Sequence, residues 1–558
     1  MFIFLKTIGL IFFGISAVTV VQAVEMSTTP TAVMPIHVKD FGAIPNDGQD
    51  DTTAIIKAIK HLKQSGAKIL QFDAGRYDID RNGIKLIDID DLTVQGVTDE
   101  HGKPATKLVR NNDFYTNNKG IGTLFSVTNC QRMTVRNLLF DNDPQYATAG
   151  EVVALDEQSL TVRIFDDLPR VDGMGAYCMN TWDIKTRRLK QQPSLTFGND
   201  VNKNRKELSW QVVGDDAQRL MRLPSHSIAS KVQMGDGLSW HNGFWGYQVL
   251  FFNANDLTLS NLWTTNAAGF AMCTQLCHNI TADRIVVRSD NNQLATSPRD
   301  GWKLYACSGK VVIDDMFIEG VRWDGQNVHG SFLKVIEKQS DIQLLCKKKY
   351  STAWKIPLDT KLTFWDKDQP ESRILKSCDI QRGVSDSQFV ITLDKPIPSF
   401  VTQDTLVTVW GWDIEHYELK NSHFRAIAGS ASILRNSHAL IQDCTYDNIM
   451  YPALMIGAAI NEGEGMFPQD VTVSRTTFID SGWVKRNNAL GMLAARTWGS
   501  DLPYMGHITV KDCTFKDAAL GINFYGTRQV TLKNNHFKNV DTPQQFDKQS
   551  VLNVQTIK

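Results

Sequence analysis

Among the 60 Asp and Glu residues of this 558-residue chain, two stand in closely matching settings. The stretch Ser297-Pro-Arg-Asp-Gly-Trp-Lys303 places Asp300 directly before a glycine. Gly320-Val-Arg-Trp-Asp-Gly-Gln-Asn-Val-His-Gly330 does the same for Asp324, 24 residues further on. Two carboxyl groups held side by side are what glycosidic cleavage needs: one protonates the leaving oxygen, and the other activates water or attacks carbon. Proximity of like charges also raises one of the two pKa values, which keeps the acid protonated. The same Asp-Gly steps equally suit Asx turns at the corners of a repeat. The residues by themselves leave both readings open.

What would bring the pair together is a repeat. Short similar segments recur along the chain, among them Met133-Thr-Val-Arg-Asn-Leu-Leu-Phe140, Leu257-Thr-Leu-Ser-Asn-Leu-Trp263, Ile280-Thr-Ala-Asp-Arg-Ile-Val286 and Val311-Val-Ile-Asp-Asp-Met-Phe317. Val471–Phe478, His507–Phe515 and Val530–Phe537 continue the series. Each reads as an alternating strand, a polar Asn or Asp and an inward aromatic or apolar residue. One β unit per two dozen residues predicts an all-β solenoid, a right-handed parallel β-helix whose coils cover one another. Coils stack at roughly 4.8 Å, so residues one turn apart, such as Asp300 and Asp324, project side by side.

Two stretches interrupt the repeat with hairpin-like alternation, Gly150–Ile164 in the first and Phe389-Val-Ile-Thr-Leu and Leu406-Val-Thr-Val-Trp-Gly-Trp in the second. Both predict small antiparallel, barrel-like β modules inserted into coil loops, placed to wall a groove. Ahead of the first coil, Asp50-Asp51-Thr52 followed by Ile55, Ile56 and Ile59 predicts a capped helix over the open end of the solenoid. The chain thus divides into a leader at 1–23, β-helix parts at 33–140, 241–332 and 413–558, and inserted modules at 141–240 and 333–412.

Cap, coils and inserts together resemble glycoside hydrolase family 110, exo-acting α-1,3-galactosidases on a β-helix with two β-barrel inserts, within the pectate-lyase-like superfamily. The resemblance spans roughly residues 35 to 545. The family pattern has an Asp-Gly in one coil, matched by Asp300-Gly301, then an Asp-Asp pair followed by Asn-Val-His-Gly. Trp323-Asp324 and Asn327-Val-His-Gly330 match the second part, except that Trp323 stands where the first Asp is expected. The resemblance implies Asp300 as general acid and Asp324 as part of the general base of an inverting mechanism. Arg425 and Arg435, on coils after the second insert, are similar to the family's Arg-bearing coils. With Glu462 and Glu464 they are candidates for contacts to sugar hydroxyls. Trp302, Trp323 and Trp498 are candidates for stacking on a sugar ring, and His329 reads as structural.

Composition removes other classes. With 59 Lys+Arg against 60 Asp+Glu the net charge is −1, which argues against a dedicated nucleic-acid binder. Nine cysteines are too few and too scattered for a disulfide framework. Cys273, Cys277 and His278 lack metal-knuckle spacing, so neither metal nor other cofactor is implied, and the thiols read as core residues. Met1–Ala23, with Lys6, an apolar Ile8–Val21 and Val21-Gln22-Ala23, has the layout of a secretory signal cleaved after Ala23. A retained anchor is the alternative. The expectation is a secreted or periplasmic hydrolase of terminal α-linked, α-1,3 in the family, galactose or modified galactose. Its partner is a carbohydrate, with no nucleic acid and no membrane span. The rivals are a lyase or endo-hydrolase of the superfamily, or a catalytically weakened carbohydrate-binding β-helix.

Overall fold

The computed structural model describes residues 34–557 apart from 112–121, 193–194, 196–207, 245, 292, 350–354, 367–369 and 383–385. The leader at 1–23 lies outside the described residues. Among the described residues, twenty-nine strands join in one continuous, overwhelmingly parallel sheet that coils on itself. The recurring segments stack in register. Met133 lies opposite Leu257, Leu257 opposite Ile280, and Ile280 opposite Val311. In the last coils Val471, Ile508 and Val530 form one column.

Side chains that repeat at one position repeat their contacts. Phe424, Tyr446, Phe478, Phe515 and Phe537 stack face to face inside the solenoid, with centroids 5.0, 5.0, 4.9 and 5.0 Å apart and planes within 11° of parallel. Asn137 and Asn261 occupy the left-handed region at a corner, and the Asn261 amide donates to Asn137 Oδ1 at 3.0 Å. Corners need a small donor to the carbonyl two residues back. Ser422, Cys444, Thr476 and Cys513 each fill that place on successive coils. Cys130, Cys277 and Cys307 do likewise in the earlier coils. All nine cysteines are free thiols, eight of them buried.

Helix Thr52–Ser65 closes the N-terminal end by turning Ile55, Ala58, Ile59 and Leu62 onto the first coil. Ile56 faces solvent instead. Asp50, one residue ahead of the N-cap Asp51, accepts from the Thr52 amide at 3.1 Å. Asp51 ties the cap to the coil by accepting from the amides of Ile44 at 2.9 Å and Asp78 at 3.1 Å.

Two antiparallel units interrupt the coils. One is a seven-stranded sheet built from strands between Ala147 and His241, and the other a closed six-stranded barrel between Phe332 and Val409. The first packs Trp210 on Trp240 and shares its apolar core with Leu294, Tyr451, Trp483 and Val484 of the coils. The second lays Phe332 and Trp365 on Phe467 and Tyr504. Each unit therefore braces loops that rise from a single sheet of the solenoid. That sheet runs through Phe270–Gln275, Trp302–Tyr305, Gln326–His329, Ser432–Arg435 and Leu454–Ile456.

Candidate active site

Strands Trp302–Tyr305 and Gln326–His329 are parallel neighbours, with Trp302 opposite Gln326. Asp300 and Asp324 occupy the same place before them, one coil apart, and the Gly301 amide donates to the Asp324 carbonyl at 2.9 Å. Their following glycines are required by this stacking. A Cβ on Gly301 would meet the Gly325 carbonyl oxygen at 2.7 Å, and one on Gly325 the Ala431 oxygen at 2.6 Å. The two carboxylates so juxtaposed are almost completely buried, 1% and 0% exposed.

Their surroundings differ. Asp324 is clamped by the Arg486 guanidinium, with Nη2 3.0 Å from Oδ2 and Nη1 in a shorter contact with Oδ1. The Ser430 amide also donates to its Oδ1, at 3.1 Å. Asp300 Oδ1 has no hydrogen-bond partner among the described residues. Burial pushes the Asp300 pKa up to about 6, and the negative charge of Asp324 adds to this against Arg299, Lys303 and Arg486. One carboxyl is thus tied to a cation, while burial raises the pKa of the other, an asymmetry of environment that suits one of the pair to act as an acid.

A second layer lines the same sheet. His329 donates from Nδ1 to the Gly330 carbonyl at 2.8 Å and packs against Tyr305, with ring centres 4.4 Å apart and planes tilted by 32°. Burial, with Lys303 and Arg435 nearby, holds its pKa well below the usual value, so it is a neutral group. Arg435 pairs closely with Glu464 and reaches the Gly457 carbonyl at 3.3 Å and Asn327 Oδ1 at 3.5 Å. Burial and then the charge of Arg486 lower its pKa to about 9. Glu462 sits at the rim, paired at 3.0 Å with Lys349 of the barrel. Trp498 joins the same loop through a backbone bridge to Ala459.

The structure thus brings together Asp300, Asp324, Trp323, Arg435 and Glu464, with Glu462 and Trp498 at the edge. Two expectations are corrected. Trp302 is not a sugar platform: the strand alternation turns it inward, it is completely buried, and its indole donates to Thr274 Oγ1 at 2.9 Å. Arg425 lies on the adjoining sheet, where it pairs with Glu319 at 2.7 Å and donates to the Thr186 carbonyl of the first insert at 2.9 Å. It fastens insert to coil. Trp323 is engaged differently from a free platform. The Arg486 guanidinium lies 4.9 Å from its ring centre, that of Arg299 5.9 Å, and Tyr451 meets it edge-on at 6.4 Å. Where the resemblance expects a carboxylate, an indole instead holds the arginine that clamps Asp324.

Sequence reasoning missed Arg486, and with it Arg299 and Lys303. A length signal pointed to Arg486. From Ser432 to its partner Leu454 is 22 residues, but from Leu454 to Leu493 is 39. Part of the surplus precedes Asp470 and carries Glu462 and Glu464, and the rest forms a loop whose ends meet at Gly482 and Gly491, both with positive φ; a Cβ on Gly482 would strike the Gly491 oxygen at 2.2 Å. Compact loops of this kind are frequent carriers of function.

The chain is similar in sequence to known proteins over most of its length. A family model described as "Right handed beta helix region" matches residues 408–551. A curated relative from Bacteroides fragilis, named alpha-1,3-galactosidase A, is 24% identical over 497 residues, covering 80% of this chain and 77% of the relative. Another of the same name, from Shewanella woodyi, is 20% identical over 86% of this chain and 82% of its own. Among solved structures, the exopolygalacturonase of Thermotoga maritima covers 94% of this chain and 91% of its own, at 10% identity and a TM-score of 0.40. The chain is a right-handed parallel β-helix protein and a homologue of the curated alpha-1,3-galactosidases, which places it among the glycoside hydrolases.

Proposed function

We propose that the protein is an exported glycoside hydrolase that releases a terminal α-linked galactose, or a modified galactose, with inversion at the anomeric carbon. One observation carries this reading: two buried carboxyls stand in register on adjacent coils, and among the described residues only one of them is paired with a cation. Asp300 gives its proton to the glycosidic oxygen as the bond to C1 breaks. A water attacks C1 from the opposite face and loses its proton to Asp324, so each carboxyl ends in the state in which the other began. Arg486 and the Ser430 amide fix the orientation of Asp324, and Trp323 fixes Arg486. No cofactor is needed for this exchange. With Asp300 near 6, the proton-bearing form dwindles as pH rises, so turnover falls above about pH 6. Among the described residues no helix is long and apolar enough to cross a membrane, and the leader at 1–23 supports export.

The deciding experiment is incubation of the pure protein with α-galactosides and red-algal oligosaccharides, reading released monosaccharide and its anomer by NMR. β-Galactose appearing first supports the scheme, and α-galactose appearing first overturns inversion. Lys303 supports a second reading. It lies half-buried beside Asp300, and burial draws its pKa down. A lyase needs such a base, and its unsaturated, ultraviolet-absorbing product would distinguish it. The Arg486 clamp and Trp323 support a third, a β-helix that binds glycans without turnover; saturable binding with no released sugar would favour it.

A further inference from the structure

The ion pairs of the site leave two cations over. Asp324 is matched by Arg486 and Glu464 by Arg435, each in direct contact. Arg299 and Lys303 flank Asp300, and neither makes an ion pair with any described residue. The Lys303 ammonium instead lies 5.0 Å from the ring centre of Tyr305 and 5.6 Å from that of Phe270. The Arg299 guanidinium stands among Phe244 at 5.0 Å, Phe270 at 5.3 Å and Trp323 at 5.9 Å, and its buried Nε has no hydrogen-bond partner among the described residues. When Asp300 carries the proton needed for catalysis, these two cations face a carboxyl without charge. Aromatic walls stabilise a half-buried cation only modestly, and these two repel one another, so an anion arriving with the ligand would relieve the excess positive charge.

We infer that the cationic cluster of Arg299 and Lys303, packed against Phe270 and Tyr305 beside Asp300, receives an anionic substituent, a sulfate ester or a carboxylate, carried by the sugar whose glycosidic bond is cleaved. This rests on the hydrolase reading above and deepens it, by giving the modified galactose a charge. A fork of guanidinium donors and a point-charge ammonium together suit a group with two or three acceptor oxygens. The arriving charge also acts on the chemistry. A negative group next to Asp300 favours its protonated form, so the acid keeps its proton to higher pH with an anionic substrate than with a neutral one.

The test compares four substrates of one linkage: a neutral α-1,3-linked galactoside, two sulfated forms differing in the ester's position, and the corresponding galacturonoside. Hydrolysis is read as kcat/KM, and binding by calorimetry with Asp300→Asn. The expected result is at least one anionic substrate cleaved more than tenfold better than the neutral one, an advantage that shrinks as salt is raised and an alkaline limb displaced to higher pH. The sulfated and uronate arms identify the source of the charge. In Lys303→Met the ratio of anionic to neutral kcat/KM should fall towards one, a comparison that cancels any loss of folded protein. Equal or better cleavage of the neutral galactoside overturns the inference and leaves the hydrolase reading standing. Salt-sensitive binding of an anionic sugar with no cleavage of any substrate upholds the anion site and overturns the hydrolase. If the anionic sugars neither bind nor react, the inference fails.

Discussion

The last coils and the middle coils obey the same register and use it for opposite ends. In the last coils a single column repeats one residue type, the ring stack from Phe424 to Phe537, and every step gains the same apolar contact. In the middle coils the stacked column is Asp300, Asp324 and Ser430, and stacking there forces like charges together. A regular ladder stabilises in the first case and destabilises in the second. The middle coils tolerate the strain because a surplus loop brings in Arg486 and two inserted β units hold the flanking loops in place. Regularity along a solenoid reports stability, and the site lies where regularity is interrupted.

Four substitutions sharpen that contrast. Asp324→Asn has the largest expected effect because it acts on both sides. Removing one partner of a buried pair leaves Arg486 uncompensated, which costs about 3–5 kcal/mol. Loss of the base should in addition lower kcat by orders of magnitude. Denaturant unfolding together with kinetics measures both, and full turnover in a stable variant would show that Asp324 is a corner turn. Phe478→Ala should lose about 3–5 kcal/mol by opening a gap in the ring stack, while the protein that remains folded keeps its kcat.

Asp300→Asn is the counterpart, with stability moving the other way. The Asp300 carboxyl has a folded pKa of about 6, above the ordinary carboxylate value, so the native state holds the proton more tightly than the unfolded chain. Stability from this group is therefore full below about pH 4 and is lost as pH rises towards 6. The variant should match the parent at pH 4 and exceed it by roughly 2–3 kcal/mol above pH 6, from a pKa difference of about two units. Paired melting curves at the two pH values read this directly, and an unchanged difference would place Asp300 in a solvated setting. The smallest effect belongs to Trp323→Leu, which removes a cation–π contact with Arg486 worth about 0.5–2 kcal/mol. It should raise KM or lower kcat several-fold with little change in melting.

The fold was readable because a solenoid repeats its constraints. Thr258 opposite Thr281 and Thr509 opposite Thr531 are the same offsets that the sequence displays. The carboxylate pair was readable for the same reason, one coil being about as long as the gap between the two Asp-Gly steps. What lay beyond reach was direction and loop reach. Trp302 follows Asp300 by two residues, and only the strand's alternation decides that it faces the core while Lys303 faces the site. Arg425 and Arg435 look alike in sequence, yet they lie on adjoining sheets with different neighbours. Arg486 is 162 residues from Asp324, and its loop is placed by Gly482, Gly491 and the first insert's packing on Trp483 and Val484.

The division of labour between the two carboxyls is tested most directly by Asp300→Asn on two substrates of the same sugar. One is an oligosaccharide that the parent enzyme hydrolyses, and the other an aryl glycoside whose nitrophenolate departs without a proton. If Asp300 is the acid, the variant should lose at least about a hundredfold in kcat on the oligosaccharide, retain rates within about tenfold on the aryl glycoside, and show no alkaline limb near pH 6. Equal losses on both substrates, or undiminished cleavage of the oligosaccharide, would contradict it.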